Sequence, residues 1–190
     1  MAEVATLPEG SPVSAKRFLH LGHRAAVDQA LSRLARRSQL LRAGRGLYLR
    51  PVKTRFGVRT PSVEMALKAL ELETGETITP HGAAAASALG LTTQVPVRSV
   101  YLTSGRSRRL TFGAQIVELQ HAPRWQLALA GRPAGEVIRA LAWLGPERGA
   151  KIAPQLARTL STETVQELSH ARTRLPTWMA EQVSDLTIDG

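Results

Sequence analysis

Cysteine is absent from the sequence. That excludes disulfides, thiolate metal sites and a cysteine nucleophile. Aromatic residues make up only 4%. Residues 1–60 contain Phe18, Tyr48 and Phe56 and no others, too few for the stacking platforms of RNA and single-strand modules. Carboxylates are also scarce, 15 against 25 Lys and Arg. They sit singly along helical segments, without the D-x-D or D-x-E spacing of a catalytic magnesium site. Glu71 and Glu73, two apart on an expected helix, point in different directions. The phosphate-binding loop G-x-x-x-x-G-K-[ST], G-x-G-x-x-G and the nucleophile elbow G-x-S-x-G are all missing. His20, His23, His81, His121 and His170 lie far apart or outside metal-binding spacing. The expectation is therefore a protein that is not an enzyme and needs no metal or cofactor. No apolar run reaches membrane-spanning length. The opening MAEVATLPEG lacks the basic and apolar regions of a signal peptide, so the cytoplasm is the expected location.

What is present is concentrated in HRAAVDQALSRLARRSQLLRAGRGLYLR, residues 23–50. Val27, Ala30, Leu31 and Leu34 recur at i, i+3, i+4 and i+7, the stripe of an amphipathic helix. The other face carries Arg24, Asp28, Gln29, Ser32, Arg33, Arg36 and Arg37, with His23 just before it. Arginine can bond guanine and glutamine adenine in a major groove, while flanking arginines bind phosphate. A solvated helix is the alternative, although such a face usually mixes signs for i,i+4 pairing.

A hairpin is expected next. Leu40–Arg42 and Leu47–Leu49 flank Ala43-Gly44-Arg45-Gly46, whose glycines permit a tight turn. Arg45 falls at the tip and Arg42 and Arg50 beside it. Such a turn could belong to a plain sheet, but its place after the helix suits a wing. Upstream, Ser14 is the expected cap of a helix 15–21 that ends at Gly22. Lys16 and Arg17 open that helix, where this motif often meets the DNA backbone. Charge falls the same way. Residues 1–60 hold twelve Lys/Arg and three Asp/Glu, net +9, and residues 61–190 hold thirteen and twelve, net +1. That asymmetry points to a polyanion, and the scarcity of aromatics favours duplex DNA.

Residues 52–60 read as a basic linker. Thr60 and Pro61 are expected to start a helix that buries Met65, Ala66, Ala69, Leu70 and Leu72 and stops at Gly75. A small-residue helix over 83–89 follows His81-Gly82, a pair better suited to packing than to a site loop. Strands are expected over 97–103, 108–112 and 115–120. Arg106, Arg108 and Arg109 form a second basic cluster, for DNA, an acidic partner or solvent. Helices follow from Pro133, the first ending at Gly145-Pro146 and a shorter one following at about 150–159. The expected fold class is α+β. A winged helix-turn-helix spans 1–51, and a C-terminal α/β domain with a small, mostly antiparallel sheet and terminal helices spans 61–190.

RAAVDQALSRLARR (24–37), LLRAGRGLYLRP (40–51) and ITPHGAAAASALGLTTQVPVRSVYLTSGRSRRL (78–110) resemble the AbiEi-type antitoxins of type IV toxin–antitoxin systems. The likeness covers about residues 12–145. It implies a recognition helix at Arg24–Arg37, a wing at Arg42–Arg50 and binding of double-stranded DNA at inverted repeats in the chain's own promoter. It further implies a C-terminal domain that counteracts a nucleotidyltransferase toxin encoded nearby. The alternatives are a stand-alone transcriptional regulator and a protein-interaction module that masks a toxin. Relatives of this kind usually carry a longer first helix, so a short or missing one is expected here.

Overall fold

The computed structural model describes residues 2–55, 57–94 and 97–188. Phe56, and Val95 and Pro96 of the segment 78–110, lie outside the described residues. The fold is mixed α+β, with small sheets and helices toward the C-terminal end. It divides into two compact units. The first comprises residues 1–76 and 107–119, the second residues 77–106 and 120–190.

The first unit begins with the short helix α1 (Ala2–Thr6) and the strand β1 (Pro12–Ser14). A 3-10 segment (Ala15–Leu21), the helix α2 (Arg24–Arg36) and the strands β2 (Leu41–Gly44) and β3 (Leu47–Leu49) follow. The sheet order is β1-β3-β2, both pairings antiparallel. Val27 and Leu31 of α2 are buried with Phe18, Val13, Leu40 and Tyr48, and Val4 and Leu7 close the same core. Each such apolar side chain contributes about 1.5–3 kcal/mol of transfer free energy. Thus α1, although five residues long, still covers the core. The segment 15–21 is 3-10 rather than α, breaking at Phe18 (φ −117°, ψ 17°), and Ser14 makes no side-chain cap bond. Helix α2 stops because Ser38 turns left-handed (φ 56°). Gln39 N–H then donates to Leu34 O at 2.9 Å, a Schellman-type closure.

The expected linker instead forms an antiparallel hairpin, β4 (Val52–Thr54) and β5 (Gly57–Arg59). Gly57 (φ 111°) supplies the turn conformation, and Thr54 Oγ1 donates to Gly57 O at 2.9 Å. The next helix, α3 (Val63–Thr74), starts later than Thr60 predicted. Its cap is Ser62, whose hydroxyl accepts from Met65 N–H at 3.2 Å. The buried stripe is Val63, Ala66, Leu67 and Leu70, whereas Met65 is 44% and Leu72 81% exposed. Left-handed Gly75 ends the helix as expected. The hairpin of β8 (Arg108–Phe112) and β9 (Gln115–His121), read correctly across Gly113-Ala114, completes this unit up to Leu119.

In the second unit β6 (Ile78–Pro80) pairs antiparallel with β7 (Ser99–Thr103). Between them α4 (Gly82–Ala88) packs on α5 (Pro133–Ala157), which breaks at Gly145 (φ 76°) before Pro146. A Cβ on Gly82 would lie 2.3 Å from Arg139 O, so the absent side chain sets how closely the two helices approach. The packing role expected of Gly82 is what the structure has. Helices α6 (Thr162–Ala171) and α7 (Thr177–Ile188) add Leu168, Met179, Val183 and Leu186 to a core with Val137, Ile138 and Leu141. Trp178 is half-buried and packs against that core.

Candidate nucleic-acid interface

Helix α2 owes its position to Val27 and Leu31, which fix one side against the core. The opposite side leaves Gln29, Arg33, Arg36 and Arg37 exposed. Arg33 and Arg36 lie in its last turn, where cations suit the helix dipole. His23 occupies the cap position, exposed and without a side-chain cap bond. The helix and the hairpin meet through Ser32 Oγ and Tyr48 Oη, 3.1 Å apart. Ser32 was expected on the reading face. It is half-buried against the hairpin instead, because Tyr48, 4% exposed, needs a partner for its hydroxyl.

The hairpin tip is the two-residue turn Arg45–Gly46, with Gly46 at φ 68°. Gly44 needs no positive φ. It sits in β2 at an irregularity in register, and a Cβ there would be 3.3 Å from Leu110 Cδ2. Strand β2 thus packs on β8 of the same unit. Arg42 and Arg45 are both exposed.

The ion pairs sort these cations. Arg24 Nε bonds Asp28 Oδ2 at 3.0 Å, so two residues expected to face a groove satisfy each other. Arg17 Nη1 bonds Glu73 Oε2 on α3 at 2.7 Å. Arg108 Nη2 meets Glu76 Oε2 at 2.7 Å, and Arg109 Nη2 meets Glu118 Oε1 at 3.1 Å. Arg108 and Arg109 belong to the first unit and Arg106 to the second, which splits the expected cluster. By contrast, Lys16, Arg33, Arg36, Arg37, Arg42 and Arg45 have no carboxylate partner among the described residues. The unit carries fifteen Lys/Arg and eight Asp/Glu, a net +7 of the chain's +10.

The second unit holds a residue that the sequence reading passed over. Arg139 on α5 is 1% exposed, and its Nε and Nη1 have no hydrogen-bond partner among the described residues. Its signal was an arginine inside the otherwise apolar run VIRALAWL (137–144). Among the described residues no group of three or more His, Asp or Glu is placed to hold a metal ion. No helix there is long and apolar enough to cross a membrane.

No match was found among curated proteins or among solved structures. Residues 1–168 match the family of unknown function DUF6088. That match takes in nearly the whole chain, the basic unit and most of the second unit included, and the chain belongs to the DUF6088 family.

Proposed function

We propose that this protein is a DNA-binding transcriptional autorepressor that serves as the antitoxin of a nucleotidyltransferase toxin encoded nearby. The first unit is then a winged helix-turn-helix. The order helix, strand, helical turn, helix, strand, strand with a β1-β3-β2 sheet supports that assignment. Helix α2 enters the major groove with Gln29 and Arg33 toward base edges, and Arg36 and Arg37 toward phosphates. Arg45 at the wing tip and Arg42 behind it meet the neighbouring backbone, as does Lys16. One observation carries the proposal. Among the described residues Arg33, Arg36, Arg37, Arg42 and Arg45 are left without intramolecular carboxylates, on a helix, its C-cap and a hairpin joined by Ser32 and Tyr48. A surface meant only for solvent usually interleaves signs. The antitoxin role rests on the likeness of residues 24–37, 40–51 and 78–110 to AbiEi-type antitoxins.

Fluorescence anisotropy with the duplex upstream of the protein's own gene tests the DNA claim. Tighter binding there than to a shuffled duplex at matched salt is expected. Equal affinity for both would sink it. Co-expression with the neighbouring gene tests the antitoxin claim, by rescue of growth. Rescue that survives loss of DNA binding but needs a stable complex of the two proteins would favour a masking module instead.

A further inference from the structure

Arg139 lies in the second unit, apart from the residues assigned to DNA. A guanidinium keeps its charge at any physiological pH. Burial draws its pKa down from the ordinary value, opposed by Glu136 one turn earlier on α5. A buried cation whose N–H groups lack acceptors is strongly unfavourable, so native proteins supply a counter-charge or an acceptor. The cavity that Arg139 lines has a volume of about 240 Å³. Its other polar walls are His81 and Gln126, and none of its lining residues is a carboxylate. His81 Nδ1 accepts from Ala83 N–H at 3.2 Å. Burial lowers its pKa, so the ring is neutral near pH 7 and carries its proton on Nε2, a second donor. Leu102, Ala142 and Trp143 form the apolar remainder. Gly82 holds the start of α4 against the backbone of Arg139, which fixes His81 and the arginine on one cavity.

We infer that this cavity binds a small oxyanion, a phosphate or a carboxylate group, through Arg139 with His81 and Gln126. Arg139, His81 Nε2–H and the Gln126 amide N–H can all donate, and the missing component is an acceptor with negative charge. Arginine is the side chain suited to both ligand types, through charge-assisted hydrogen bonds. The site is independent of the DNA-binding surface and uses none of its residues.

The test titrates the full chain with inorganic phosphate and, separately, acetate at constant ionic strength, read by calorimetry and by melting temperature. A saturable response to at least one of the two is expected, and the pair of titrations separates phosphate from carboxylate as the preferred group. Arg139→Met should weaken it by roughly tenfold or more, the loss of a charge-assisted partner. Gln126→Glu guards against a misfolded Arg139 variant. It places a carboxylate in the cavity, so it should raise the melting temperature without added anion and abolish the response. Arg36→Ala with Arg45→Ala should leave the response intact, which separates this site from the DNA surface. No saturable response to either anion, or a response unchanged in Arg139→Met or Gln126→Glu, overturns the inference. So does a response lost with Arg36 and Arg45.

Discussion

Ser32 Oγ on α2 lies 3.1 Å from Tyr48 Oη on β3, sixteen residues away. This is a side-chain link between the helix and the hairpin, made at the edge of the core. Ser32→Ala or Tyr48→Phe should each cost about 0.5–1.5 kcal/mol, the net worth of a protein hydrogen bond. The double variant should lose less than the sum, since either change already breaks the bond. Urea unfolding of the four proteins measures the coupling, and strict additivity would show that the pair does not hold the two elements together.

If the unpaired cations neutralise phosphates, the logarithm of DNA affinity should fall linearly with the logarithm of salt concentration. Each contact contributes about 0.9 to that slope. Arg36→Ala and Arg45→Ala should each flatten it by about that amount and weaken binding on all sequences alike. Gln29→Ala should leave the slope unchanged and narrow the gap between operator and shuffled duplex by about 1–3 kcal/mol. Anisotropy titrations across a salt series check both.

Arg17 bears on the same surface in the opposite sense, because Glu73 already holds its guanidinium at 2.7 Å. Both partners are partly exposed, Arg17 40% and Glu73 26%, so the pair is worth at most about 1 kcal/mol. Glu73→Gln should therefore change the melting temperature little. It should tighten DNA binding and steepen the salt slope by about one contact, since it releases a cation and removes a repelling charge. Unchanged affinity would place Arg17 away from the duplex.

The stripe Val27, Leu31 and the G-R-G turn made α2 and its hairpin legible, because period and turn chemistry are local properties. Ser32 was misassigned for a non-local reason. On the helix it counts as polar face, and only the folded hairpin brings Tyr48 to it. The stripe of α3 was misread because apolar residues lie on more than one face of that helix. Packing rather than the cap decides which face is buried, and it takes Val63, Ala66, Leu67 and Leu70 inward and leaves Met65 and Leu72 out. The hairpin at 52–59 was hidden because three-residue strands lack a measurable period. Arg139 was hidden for the deepest reason. Spacing places charged residues outward by default, and this one is buried on a helix whose backbone α4 approaches closely at Gly82.

That close approach gives its own prediction. A Cβ at Gly82 would meet Arg139 O at 2.3 Å and Trp143 Cβ at 2.7 Å. Neither a backbone oxygen nor a Cβ can swing aside, so α4 would have to move off α5. Gly82→Ala should destabilise by about 1–3 kcal/mol or more. Gly90→Ala is the control, since Gly90 has φ 69° and nothing within 4 Å. It should show only the left-handed backbone penalty, about 1–2 kcal/mol. Equal stability of Gly82→Ala and the wild type would show that α4 does not rest on α5 as described.

His81 links stability to pH, with a definite sign. Burial lowers its pKa in the folded state below the ordinary value of about 6.5. The unfolded chain therefore takes up the proton first as pH falls. The contribution of the neutral ring is complete above about pH 6.5, declines as pH drops below it, and levels off below the folded pKa. Protonation acts against the fold in two ways. It removes the Nδ1 lone pair that accepts from Ala83 N–H, and it places a positive charge at the start of α4, the unfavourable end of the helix dipole. His81→Asn separates the titration from the cap, because asparagine can accept the same bond and does not titrate. Melting temperatures measured from pH 7.5 to 5 should fall more steeply for the wild type than for His81→Asn, the two curves diverging below about pH 6.5. Parallel curves would mean that His81 keeps an ordinary affinity for its proton in the folded protein.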